Sequence, residues 1–200
     1  MPEQNYDIDQ DLKEAEAMVK VLDPYIYEDQ LYRRVGGAGI FSRSNIPYMT
    51  LGAVLLRLRR LRTLEDQLSS AQEATLAQLE EQHDSIHQEW RVHYEKKLVK
   101  EAASRLDAMR MFFDECEQNP KLCASAYMPE ALRRTIVQET LRAMTQMQVE
   151  SADVNAKKAQ IDQKLRGVVR SSEFIWSDLL QSVYPEDEYW WLYHRPPANG

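Results

Sequence analysis

The chain has 200 residues, 44% of them hydrophobic and 28% charged, with six glycines and a net charge of −7. That length allows a sizeable core in a single domain, and the acidic balance argues against a whole-protein binder of nucleic acid. The opening MPEQNYDIDQD is polar and acidic, unlike a secretory leader, and two cysteines, Cys116 and Cys123, make no disulfide framework. The expectation is a cytoplasmic protein with reduced thiols.

Ala, Leu, Glu, Gln, Lys and Arg dominate, β-branched residues are sparse and period-two alternation is missing, so the chain reads as all-α. A first helix is expected from Asp9 to Leu22, interrupted at Asp23-Pro24 because the residue before proline is pushed out of the α region. A second piece, Tyr25 to Val35, should end at Gly36-Gly37, a C-cap signal. Residues 36–49 read as a loop, with Ile40, Phe41 and Ile46 as plugs into a core. The apolar run from Ile46 to Leu58 contains Pro47 and reaches Arg57, too short to span a bilayer.

Thr50 is placed to cap a helix carrying Leu51, Leu55, Leu58, Leu61 and Leu68, which stops at Ser69-Ser70. Ser70-Ala-Gln-Glu73 matches a capping box, so a new helix starts at once and must lie antiparallel to the last. Residues 36–64 carry five arginines and no acid, and residues 65–90 carry seven acids and neither Lys nor Arg. The two segments should therefore face each other.

From Ser70 an apolar stripe runs through Leu76, Leu79, His83, Ile86, Trp90, Tyr94, Leu98, Ala102, Leu106, Met109, Phe113 and Cys116, with neither proline nor glycine before Asn119-Pro120. As one helix, 70–118 would be roughly 73 Å long, against about 43 Å across for a compact domain of this size. After a turn at 119–128, Pro129 suits the first position of a second long helix to Val169. The two arms predict an elongated bundle built on a long antiparallel, coiled-coil-like hairpin, 70–118 and 129–169. Its second arm is weakly apolar around Ser151, Asn155 and Lys158. The shorter segments 9–35 and 50–69 pack against it, and 1–200 reads as one helical domain.

The last seventeen residues hold Tyr184, Tyr189, Trp190, Trp191 and Tyr193. Ser172 is placed to cap a short helix to Val183, and Pro185-Glu-Asp-Glu188 to open a final turn. The segment 172–195 is expected to close one end of the bundle as a structural lid; an exposed docking motif and a small-molecule platform are the other readings.

Candidate chemistry is thin. Glu80 and His83 have the Glu-x-x-His spacing of di-iron bundles, but no second copy occurs. His83 and His87, four apart, make a weak metal pair without a third ligand, which Glu80 or Asp84 would have to supply. Arg57, Arg59, Arg60 and Arg62 in LLRLRRLR read either as a basic face for lipid or phosphate or as the solvated, salt-bridged side of a core helix facing residues 65–90, and the second is favoured. Cys116 is expected as a small core residue, with a Cys116–Cys123 clasp as the alternative. Gly-x-Ser-x-Gly, a P-loop and Gly-x-Gly-x-x-Gly do not occur; Gly36-Gly-Ala-Gly39 follows a helix, the wrong context for a phosphate cradle.

The resulting expectation is a non-enzymatic helical interaction or scaffold protein without a cofactor. It uses Arg57, Arg59, Arg60 and Arg62 or Tyr189, Trp190, Trp191 and Tyr193, and its partner is another protein or a second copy in a homo-oligomer. Nucleic acid, membrane and metal are not expected as partners. The alternatives are a metal or small-ligand bundle at Glu80, His83 and His87, and a salt-sensitive adaptor for membrane or nucleic acid at the arginine helix.

Overall fold

A computed structural model describes residues 2–35 and 48–197, which form an all-α bundle of seven helices plus one sheet of two two-residue strands. The helices are α1 (Ile8–Val19), α2 (Leu22–Tyr27), α3 (Leu51–Thr63), α4 (Ser70–Glu89), α5 (Arg91–Gln118), α6 (Pro120–Gln146) and α7 (Ala152–Val168). The strands are β1 (Arg170–Ser171) and β2 (His194–Arg195), antiparallel with Arg170 opposite Arg195. The expected roles of Gly36, Gly37, Gly39, Ile40, Phe41 and Ile46 lie outside the described residues. No helix among the described residues is long and apolar enough to cross a membrane.

The chain divides into two compact units: 7–101, and 102–200 together with 1–6. In the first unit, Asp7 caps α1 by accepting from the Gln10 amide at 2.9 Å. Thr50 caps α3 as expected, at 3.1 Å from the Ala53 amide. The capping box falls one residue earlier than its sequence match: Ser69 and Gln72 satisfy each other's backbone amides. Asp23 and Pro24 do not interrupt a helix. They lie in the first turn of α2, where proline loses no helical bond. The α2 helix ends at Tyr27, so the expected helix from Tyr25 to Val35 is only a short one.

The core of this unit gathers Met18, Val19, Leu22 and Tyr25 with Leu51, Val54, Leu56 and Leu61. Tyr94 and Leu98 of α5 are buried in it too. Glu101, also buried, accepts from the Gly52 amide at 3.0 Å. A carboxylate at the start of α3 meets the positive end of that helix.

The expected helix 70–118 is broken at Trp90, whose φ of −112° and ψ of 28° leave the helical region. His83 Nε2 nevertheless lies 2.8 Å from the Tyr94 hydroxyl. In a straight helix those residues would be about 16 Å apart along the axis, so the axis bends between them. Neither proline nor glycine marks the bend; contacts from α2 and the packing of Tyr94 hold it.

In the second unit α5 continues to Gln118, and Asn119 caps α6 with Pro120 in its first turn. Pro129, expected to start this helix, is inside it. Asn119-Pro120 offers the same start signal nine residues earlier, and an internal proline removes a single backbone bond. Cys116 and Cys123 are joined in a disulfide across the corner, both buried, rather than remaining reduced thiols.

The expected arm 129–169 is likewise two helices. Gln148 takes a positive φ of 58°, and Ser151 caps α7 through the Val154 amide at 3.4 Å. Lys157 reaches Asp107 and Lys164 reaches Asp114 and Glu117, so α7 runs parallel to α5. Arg134 pairs with Asp162 at 2.8 Å across the α6–α7 turn, as antiparallel neighbours do. Burial alone would raise the Asp162 carboxyl, but the Arg134 guanidinium and Lys158 hold it below the usual carboxylate range.

The C-terminal segment has little helix: residues 178–180 and 190–193 are single 3-10 turns, and the helix expected after Ser172 is absent. It folds back on itself, with Ser172 N donating to Tyr193 O at 2.8 Å and Ile175 N to Leu192 O at 2.9 Å. Ser177 N donates to Glu3 O at 2.8 Å, tying the two end segments of the sequence into one unit.

Candidate interaction site

The C-terminal aromatics turn inward. Tyr184, Tyr189 and Trp191 are buried, and their rings meet edge to face at 4.9 Å and 5.5 Å. Two of the polar tips find partners on α6: the Tyr189 hydroxyl donates to Glu139 at 2.6 Å, and Trp191 Nε1 donates to the Thr135 hydroxyl at 3.0 Å. Arg134 stacks over the Trp191 ring at 4.0 Å and Arg166 over Trp190 at 4.0 Å. Trp190 and Tyr193 are half-buried, and Tyr193 donates to Tyr184 O at 2.9 Å. This geometry is that of a lid: the aromatic faces a docking peptide would offer are covered.

The arginines of α3 also turn inward. Arg57 is buried and ion-pairs with Glu14, with Asp11 at 3.5 Å. Arg60 is buried 3.7 Å from Asp11, Arg59 is half-buried, and only Arg62 is exposed, paired with Glu80. The facing of arginine and acid segments therefore holds for Arg62, whereas Arg57 and Arg60 take their counter-charges from α1.

His83 is buried with both ring nitrogens engaged, one by Tyr94 and one by Asp84 at 3.0 Å. His87 packs on the other side of Tyr94, ring centroids 4.7 Å apart. Its Nε2 is buried without a hydrogen-bond partner. Burial, with His83 beside it, holds the His87 imidazole below its ordinary value, Asp84 pulling the other way. Of the two candidate third ligands, Glu80 is committed to Arg62 and Asp84 to the His83 ring. Among the described residues no group of three or more His, Cys, Asp or Glu side chains is placed to hold a metal ion.

What stands open is the outside of the Trp90 corner. Tyr27, at the end of α2, is 49% exposed, and its ring meets Trp90 edge to face at 4.3 Å and His93 at 5.7 Å. Asp23 accepts from Trp90 Nε1 at 3.0 Å, fixing the indole. Beside the trio is a cavity of about 270 Å³ lined by Tyr27, His93, Lys96, Lys97 and Lys100, together with Glu28 and Asp29. His93, Lys96, Lys97 and Lys100 are three, four and seven residues apart, so α5 presents them on one face.

Lys97 is the buried member and ties the floor together. Its ammonium donates to Tyr25 O and Glu28 O, both at 2.6 Å, and lies 3.8 Å from the centre of the Tyr25 ring. Burial lowers its pKa, with Glu28 acting against that. Lys96 and Lys100 stay exposed, and no carboxylate ion-pairs with either among the described residues.

None of these residues was singled out as a site in the sequence. Two signals were there: His-x-x-Lys-Lys-x-x-Lys spacing on a helix, and the tyrosine-rich run Tyr25–Tyr27. What the spacing lacked was the bend that brings α2 against Trp90. Compared with known protein families, curated proteins and solved structures, the chain finds no match.

Proposed function

We propose that the protein is a non-enzymatic helical interaction or scaffold protein that receives a protein partner at the Tyr27–Trp90–His93 corner. The carrying observation is that half-exposed Tyr27 is held against Trp90, whose indole Asp23 fixes, beside an open cavity. Preordered aromatics lose little side-chain freedom on binding, which is why tyrosine and tryptophan dominate binding hot spots. Val92, 58% exposed two residues beyond the bend, adds apolar surface to α5 near that corner. The arginine helix and the C-terminal aromatics contribute less to this reading, because their functional groups are spent inside the fold.

The test is quantitative capture from nuclease-treated lysate of the source cells, with Tyr27→Ala beside wild type and the exposed Met111→Ala as a control on the other unit. The expected result is capture lowered roughly tenfold or more by Tyr27→Ala and unchanged by Met111→Ala. Equal capture by all three sinks the proposal. Sedimentation of the purified protein distinguishes a second copy from a different partner.

A further inference from the structure

Resting on that reading of the corner, we infer that its partner is an acidic protein segment carrying an apolar side chain, the carboxylates meeting Lys96 and Lys100 and the apolar group seating on Tyr27. The chain as a whole is acidic, at −7, so a locally basic cavity is a departure from its surroundings. Three lysines line the cavity against Glu28 and Asp29. Glu28 is already neutralised by Arg33 at 2.5 Å, from outside the lining. Lys96, Lys97 and Lys100 therefore face one unpaired acid, Asp29. Lys97 is spent on the Tyr25 and Glu28 carbonyls. Lys96 is exposed and keeps its ammonium group for a ligand; Lys100, one helical turn on and also exposed, donates to Asp29 O at 3.4 Å, a long bond that a carboxylate can displace.

The geometry also bears on which anion. The exposed Asp23, Asp29 and Glu89 around the corner repel any anion, and the repulsion grows with the number of charges, so it weighs more on a polyphosphate backbone than on a segment with one or two carboxylates. A protein segment places one or two carboxylates within reach of Lys96 and Lys100 and puts an apolar residue on the ring face of Tyr27. Indole N–H donation is not available to it, because Asp23 holds the Trp90 N–H.

The experiment uses the full chain and fluorescein-labelled Gly-Ser peptides of about twelve residues, each carrying a single Glu-Glu-Phe, Gln-Gln-Phe or Lys-Lys-Phe, with single-stranded oligothymidine as a fourth probe. Fluorescence anisotropy should rank Glu-Glu-Phe first, by roughly tenfold over Gln-Gln-Phe, with affinity falling between about 0.05 and about 0.3 M NaCl. Lys96→Glu with Lys100→Glu, both at exposed positions, should reverse the order of the acidic and basic peptides while the far-ultraviolet circular dichroism stays the same. Equal binding of acidic and neutral peptides, tighter binding of oligothymidine, or no binding of Glu-Glu-Phe below about 1 mM each overturns the acidic partner. The surface itself is judged separately: lysate capture that still depends on Tyr27 keeps the corner as an interaction site, and capture indifferent to Tyr27 removes both.

Discussion

Replacing Trp191 by alanine tests whether the C-terminal segment is a structural lid. The side chain is 1% exposed, donates to Thr135 and lies under the Arg134 guanidinium. Truncating a buried tryptophan costs about 3–5 kcal/mol through lost transfer energy and the cavity left behind. The lost indole hydrogen bond adds about 1 kcal/mol and the lost cation–π contact about 1 kcal/mol more. Arg134 keeps Asp162, so no bare charge is left inside. Neighbouring terms overlap, which puts the expected total at about 5 kcal/mol, a third or more of the stability of an ordinary domain. The assay is urea unfolding followed by circular dichroism, with half-buried Trp190→Ala as the comparison, expected to cost under about 2 kcal/mol. A Trp191→Ala loss below about 1 kcal/mol, or one no greater than that of Trp190→Ala, would refute the lid.

On α3, Arg57→Gln leaves the buried Glu14 without its counter-charge, while Asp11 keeps Arg60, and should cost about 3–5 kcal/mol in urea unfolding, whereas Arg62→Gln should cost under about 1 kcal/mol. Equal small losses would mean that Arg57 is not buried in an ion pair. The pH dependence of His87 has a definite sign. Its folded pKa is depressed by burial and His83, so its contribution is fully present above the unfolded value of about 6.5 and is lost as pH falls from there towards the folded value. The urea midpoint of wild type should therefore drop on acidification below about pH 6.5 more steeply than that of His87→Gln. Parallel profiles would show that His87 does not titrate differently on folding.

The helical class and the Thr50 cap were legible in the sequence, because amphipathic spacing and cap residues are local signals. Trp90 was not. A stripe that continues through positions 86, 90, 94 and 98 looks the same whether the axis is straight or bent, and the bend is held by Asp23 and Tyr27, more than sixty residues earlier in the chain. The break at 147–151 did leave a trace, the weakly apolar stretch around Ser151, yet Ser151 reads equally as a poor seam residue and as an N-cap. Only the left-handed Gln148 decides between them. The arginine run read as ion-paired but solvated, and the burial of Arg57 and Arg60 against α1 was not legible, since charge alternation says which segments are complementary and not which of two acidic helices sits nearer. The inward turn of Tyr189 and Trp191 followed from their apolar bulk, while the hydrogen bonds to Glu139 and Thr135 had no counterpart in the sequence pattern.

The bond from Ser177 N to Glu3 O has a consequence for synthesis. Residues 7–101 are contiguous, so that unit has all its parts once they clear the ribosome, and it sits as an insertion between two pieces of the other. The other unit waits for β2, at His194–Arg195, to pair with β1. At roughly 5–20 residues per second, residues 102–195 take about 5–19 s to make. During that interval α6 carries the polar and charged groups that Tyr189 and Trp191 later meet. The lid is thus the last part of that unit to be made, and until then Thr135 and Glu139 lack the partners that Trp191 and Tyr189 give them.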